Sequence, residues 1–146
     1  MRTRSLGHVV LQVSDLAAAE AFYVDALGFP VLGRICDPVR MTFFCLRGPD
    51  QVGQRHHDFA LLQLDGPGRH PDHRAAGLAH VAFDVGNSLD DLRAAKIALT
   101  SAGVVVQREE THGSASSLFV LDPDTNEIEL FVDRAIAGIP AQGESW

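Results

Sequence analysis

"GHVVLQVSDLAAAEAFYVDALGF" (residues 7–29) and "AHVAFDV" (79–85), continued by "SLDDLRAAKIALTSAG" (88–103), are two versions of one phrase. Each opens on a histidine, His8 or His80, followed by a short alternating β-branched run that reads as a strand. In the first, Ser14 or Asp15 can cap a helix in which Leu16, Ala19, Phe22, Tyr23, Ala26 and Leu27 fall at helical spacing. Gly28 and Gly103 are placed to stop the two helices in the left-handed region. The two histidines stand nearly half of the 146-residue chain apart, the mark of a duplicated unit.

The remainder of each half repeats as well. In the first, "FPVLGRIC" (29–36), "RMTFFCLR" (40–47) and "HDFALLQL" (57–64) read as strands; in the second, "VVVQRE" (104–109), "SSLFVLD" (116–122) and "EIELFVD" (127–133) do. The expectation is an α+β fold of two paired βαβββ modules, 5–65 and 78–134, within a single domain over 1–146. "DGPGRHPDHRAAG" (65–77) would link them, and the tail after Asp133 is weakly patterned. One helix covers only one face of a four-stranded sheet, so two such units together would form a curved mixed sheet with a concave face free for a pocket.

The totals narrow the function. A content of 46% hydrophobic and 21% charged residues is that of an ordinary globular chain. With net charge −7 and 12 scattered Lys and Arg, no basic face exists for a phosphate backbone, which argues against nucleic acid. No apolar run approaches the roughly 20 residues that span a bilayer, and Gln12 and Asp15 interrupt any signal-peptide core, so a cytoplasmic protein is expected. Cys36 and Cys45, without a CxxC, read as buried reduced thiols.

The segments "GHVVLQVSDLAAAEAFYVDALGF", "GLAHVAFDV" and "LFVLDPDTNEIELFVD" together resemble the vicinal oxygen chelate superfamily, over about residues 5–134. That group includes glyoxalase I, the bleomycin- and fosfomycin-resistance proteins and the extradiol ring-cleaving dioxygenases. The resemblance implies paired modules around a metal-binding cup, and its ligand positions match His8, His80 and Glu129. The residue types agree. Glu129 alternates with Ile128 and Leu130 and shares its face with Phe131, a costly place for a carboxylate that neither pairs nor ligates. Two imidazoles and one carboxylate form the facial set of non-haem Fe(II), although Mn(II), Ni(II) or Zn(II) can occupy similar donors. Glu127, by contrast, reads as an edge-strand glutamate in water.

Around this set, His57 in "RHHDFALLQL" lies as far beyond His8 as Glu129 lies beyond His80, while matching Asp65 to Asp133 puts Leu61 opposite Glu129 instead. Positions 57 and 61 share a face, so His57 is a fourth ligand or an unligated base in either register; His56 reads as part of the turn. "HHDFAL" resembles the extradiol strand that carries an acid/base histidine, a role that passes to His57. "THGSASSLFVLDPD" (111–124) resembles the pattern of small ring-cleaving and glyoxalase-like members and makes His112 a candidate hydrogen-bond partner for a substrate oxygen or the oxygen adduct. Phe119 stands where many relatives carry tyrosine. The two histidines of "HPDHR" (70–74) lie on a Pro/Gly-rich connector that fixes no ligand geometry.

The favoured expectation is Fe(II)-dependent extradiol cleavage of a catechol-like small molecule by a homodimer, without a membrane or nucleic-acid partner. Two alternatives are a redox-neutral glyoxalase-type isomerase or fosfomycin-resistance-type thiol transferase, in which the metal is a Lewis acid, and a drug-binding resistance protein that needs no metal.

Overall fold

The computed structural model describes residues 2–3, 5–47, 56–66 and 76–135. The chain divides into two compact units, Met1–Arg69 and His70–Trp146. The first contains β1 (Val9–Val13), α1 (Leu16–Glu20) with a π-helical continuation (Ala21–Ala26), β2 (Val31–Ile35), β3 (Met41–Phe44) and β4 (Phe59–Gln63). The second contains β5 (Val81–Gly86), α2 (Leu89–Ser101), β6 (Arg108–His112), β7 (Ala115–Leu121) and β8 (Glu127–Asp133). Each forms its own four-stranded mixed sheet, in the order β1-β4-β3-β2 and β5-β8-β7-β6. The opening strand of each runs parallel to the last, and the other pairs are antiparallel. The expected α+β fold of two βαβββ modules is the observed one.

Local chemistry starts both helices. The Asp15 carboxylate accepts from the N–H groups of Ala17 and Ala18 at 2.9 and 3.1 Å, satisfying donors that α1 leaves open. Ser88 caps α2 in a reciprocal box: its hydroxyl accepts from the Asp91 N–H at 3.2 Å, and the Asp91 carboxylate accepts from the Ser88 N–H at 3.0 Å. Asp90 and Asp91 also place negative charge at the positive end of the helix dipole. Gly28 (φ 72°) and Gly103 (φ 77°) end the helical segments in the left-handed region, as their positions predict.

In the first module the helix widens where it meets the sheet, the Leu27 N–H donating to the Phe22 carbonyl five residues back. That wider turn buries both Phe22 and Tyr23. Tyr23, Phe29, Phe44 and Phe59 then pack with ring centroids 5.1–6.4 Å apart. Truncating any one of them to alanine would cost roughly 3–5 kcal/mol. In the second module Leu92 and Leu99 of α2 and Leu118, Val120, Ile128, Leu130 and Val132 of the sheet are buried. The opposite face of each sheet is thereby left for other uses.

Two expectations are corrected. The strand foreseen over 104–109 is instead Arg108–His112. Val104 closes the end of α2 through its N–H to the Leu99 carbonyl. The two-residue connection after His112 starts pairing at His112 with Ala115 and carries it out to Arg108 with Phe119. Hairpin register thus outweighs the β propensity of "VVV". Cys36 is exposed rather than buried, because it follows the edge strand β2; Cys45 is buried, and both are free thiols. No helix among the described residues is long and apolar enough to cross a membrane. "HPDHR" and the tail beyond Ala135 lie outside the described residues.

Candidate metal centre

In the second module one row crosses the sheet from Ala82 through Glu129 and Phe119 to Arg108. Laterally paired residues face the same side, and His80 stands two positions before Ala82. Its Nε2 lies 2.9 Å from Glu129 Oε2. The other carboxylate oxygen, Oε1, accepts from the Ser117 hydroxyl at 2.5 Å. Both oxygens of Glu129 are therefore engaged, on a face it shares with Phe119 and Phe131. The His80 ring meets Phe119 edge-on, with centroids 5.7 Å apart.

Beyond Phe119 the charges form a chain. The Arg108 guanidinium lies 3.6 Å over the Phe119 ring, a cation–π contact. It donates to both oxygens of Glu127 and to Glu110, the latter at 2.7 Å. Those two carboxylates raise the pKa of Arg108 further, Glu127 contributing most. Glu127, expected in water, is thus a partner of Arg108. His112, at the end of β6, sits half-exposed with Nε2 2.9 Å from Glu110. The hydrogen bond from His112, then that from Arg108, lowers the Glu110 pKa.

The first module is built differently at the matching place. Val9 pairs with Phe59 as Val81 pairs with Ile128. Superposing His8 on His80 therefore puts Ala60, not His57 or Leu61, in the row of Glu129. Neither register foreseen from residue counts holds. His57 precedes β4, where the Asp58 N–H donates to the Phe44 carbonyl and the Asp58 carbonyl accepts from Val9. Strand alternation does not govern its direction. Its ring nevertheless lies 4.4 Å from that of His8 and 4.7 Å from Phe43. His56 completes a cluster, 4.2 Å from His57 and 5.7 Å from His8 by ring centroids.

His57 is only 6% exposed, and its Nε2 is a buried polar atom without a hydrogen-bond partner among the described residues. Such an atom marks a place for a ligand, a metal or a proton. Burial, followed by the neighbouring His56 and His8, lowers the His57 pKa against a weaker opposing pull from Asp58. Asp58 is itself committed to Arg47 at 2.7 Å and to the Leu46 N–H at 2.9 Å.

Of the residues singled out in the sequence, then, His80 and Glu129 meet in one module and His8 and His57 in the other, while His112 pairs with Glu110. His56, Ser117 and Arg108 were not foreseen. Their signals were adjacency to His57, a serine two positions before Phe119 and so on its face, and an arginine opposite Phe119. The last two needed the register.

The family model of the glyoxalase/bleomycin resistance protein/dioxygenase superfamily matches residues 5–130. The chain belongs to this superfamily. Within it, the chain is 34% identical over 134 residues to biphenyl-2,3-diol 1,2-dioxygenase 3 of Rhodococcus globerulus, covering 90% of this chain and 65% of that one. It is 36% identical over 104 residues to 3-methylcatechol 2,3-dioxygenase of Pseudomonas putida, covering 68% of this chain and 34% of the relative. The chain thus spans less than two thirds of the length of either dioxygenase. Among solved structures, a glyoxylase/bleomycin resistance protein/dioxygenase domain from Frankia sp. EAN1pec matches with a TM-score of 0.74 and 25% identity, over 91% of this chain and all of that one.

Proposed function

We propose that the protein is a cytoplasmic metal-dependent dioxygenase that cleaves a catechol-like aromatic in extradiol fashion, with Fe(II) as the favoured metal and a homodimer as its assembly. The ligand set we assign is His8, His80 and Glu129. The observation that carries the reading is the His80–Glu129 pair at 2.9 Å, backed by Ser117 and bordered by Phe119. A carboxylate with an imidazole beside it and a hydroxyl orienting its second oxygen is a donor set suited to a divalent ion. The orphaned Nε2 of His57 fits the same reading. Similarity to dioxygenases of dihydroxylated aromatics supports the choice of reaction and substrate class.

When bound, Fe(II) supplies Lewis acidity, one-electron chemistry and open coordination positions. The chain's own residues do the rest. His57, held towards its neutral form by burial, accepts a proton from a catechol hydroxyl at Nε2 and later returns one. His112 donates a hydrogen bond to a substrate oxygen. Phe119, buried beneath Arg108, carries no hydroxyl, so the reaction proceeds without a hydrogen bond from that position.

The test is oxygen uptake by protein loaded anaerobically with Fe(II), against catechols that include fused and aryl-substituted rings, with Glu129→Ala alongside. The expected result is stoichiometric uptake and a yellow ring-opened product, both lost in the variant. No uptake with any catechol would overturn the reading in favour of redox-neutral chemistry, to be sought with thiol plus epoxide or hemithioacetal substrates.

A further inference from the structure

We propose that the first module carries a metal site of its own, formed by His8, His56 and His57, which takes a late divalent transition ion such as Zn2+. Each of the three offers a ring nitrogen, and these nitrogens all lie within 4.8 Å of one another. Donors around a tetrahedral Zn2+ at 2.0–2.1 Å stand roughly 3.3 Å apart, so modest ring movements complete the set. The two rings that must move are free to do so. His8 and His56 are exposed, lie outside the strands, and carry no hydrogen bond among the described residues. His57 is the fixed member, buried with its Nε2 unpartnered. Open positions around the ion remain for water.

The donor chemistry selects the ion. The nearest carboxylate in sequence, Asp58, is held by Arg47 and the Leu46 N–H, leaving three imidazoles and no carboxylate in the cluster among the described residues. Imidazole suits Zn2+, Ni2+ and Cu2+, whereas harder Mn2+ and Fe2+ gain more from a carboxylate. This cluster would thus prefer a different metal from the set of His8, His80 and Glu129. This site shares His8 and His57 with the dioxygenase reading but uses neither His80 nor Glu129, so it can be tested with both of those removed. Where both hold, Zn2+ here takes His8 and His57 away from the reaction and inhibits it.

The experiment titrates Zn2+ against a chromophoric chelator into the His80→Ala/Glu129→Ala double variant, with and without His56→Ala; circular dichroism checks the fold. The expected result is one bound Zn2+ whose affinity falls about tenfold or more when His56 is removed. Absence of Zn2+ binding in the double variant, or a smaller effect of His56→Ala, would overturn the site. Should the double variant not fold, the otherwise wild-type chain serves: His56→Ala should lower its preference for Zn2+ over Mn2+ by about tenfold, and an unchanged preference counts against the proposal.

Discussion

The two modules share strand order, register and an opening histidine, and differ in what faces that histidine. In the second, the row beside His80 brings Glu129, supported by Ser117 and bordered by Phe119. In the first, the same row brings Ala60, fully buried, next to Phe43. His8 is met instead by His57 and His56, from the segment before β4. Duplication therefore conserved the frame, while the donors were supplied by a strand position in one copy and by the segment before a strand in the other. A strand position fixes its side chain through ladder hydrogen bonds; ahead of β4, burial holds His57 while His56 stays exposed.

Several substitutions would break or sharpen this contrast. The largest effect is expected for Glu129→Ala. It removes the carboxylate of the proposed ligand set, so Fe(II) retention and turnover should fall by more than the roughly 10–100-fold typical when a hydrogen-bonded supporter of a ligand is lost. Anaerobic iron retention and oxygen uptake read this directly; a variant that keeps its iron refutes the assignment.

Copying the second module's row into the first should fail for a different reason. Ala60 has no exposed surface, so Ala60→Glu would bury a charge with no partner. A loss of about 3–5 kcal/mol is expected from urea unfolding. A mild effect would mean that the histidine cluster accepts the carboxylate, making the two copies more alike than their sequences are.

Ser117→Ala should leave Glu129 in place but unoriented, with metal affinity or activity down by about 10–100-fold. Wild-type behaviour would reduce Ser117 to a bystander. A smaller change, within about 1 kcal/mol, is expected for Arg108→Lys, because Lys keeps the charge over Phe119 and loses the two-pronged contact with Glu127.

The smallest expectation concerns pH in metal-free protein. The folded state holds His57 below the ordinary histidine pKa of 6.5, so below that value the unfolded chain takes up a proton that the folded one resists. The corresponding stability is present in full above pH 6.5 and declines as the pH falls through the depressed folded value. His57→Gln should flatten this part of the urea midpoint's pH dependence; an unaltered slope would place its origin elsewhere.

The cap of the first helix, both glycine stops and the strand β8 were legible in the sequence, because each rests on spacing within a few residues of itself; the repeat was legible because the same order of phrases recurs in both halves. His8 and His80 were marked as candidates by their matched places in the repeat, Glu129 by its place in an apolar alternating run, and all three by the resemblance to the family. What the tertiary structure alone decided was pairing. The offset of β4 against β1 made Ala60 the counterpart of Glu129, and the hairpin register moved β6 onto Arg108–His112. Together these brought Ser117 under Glu129 and Arg108 over Phe119, and the folded first module brought His56 and His57 to His8. Register follows from hydrogen bonds between strands far apart in the chain, and local spacing carries no information about which residue such a bond will select.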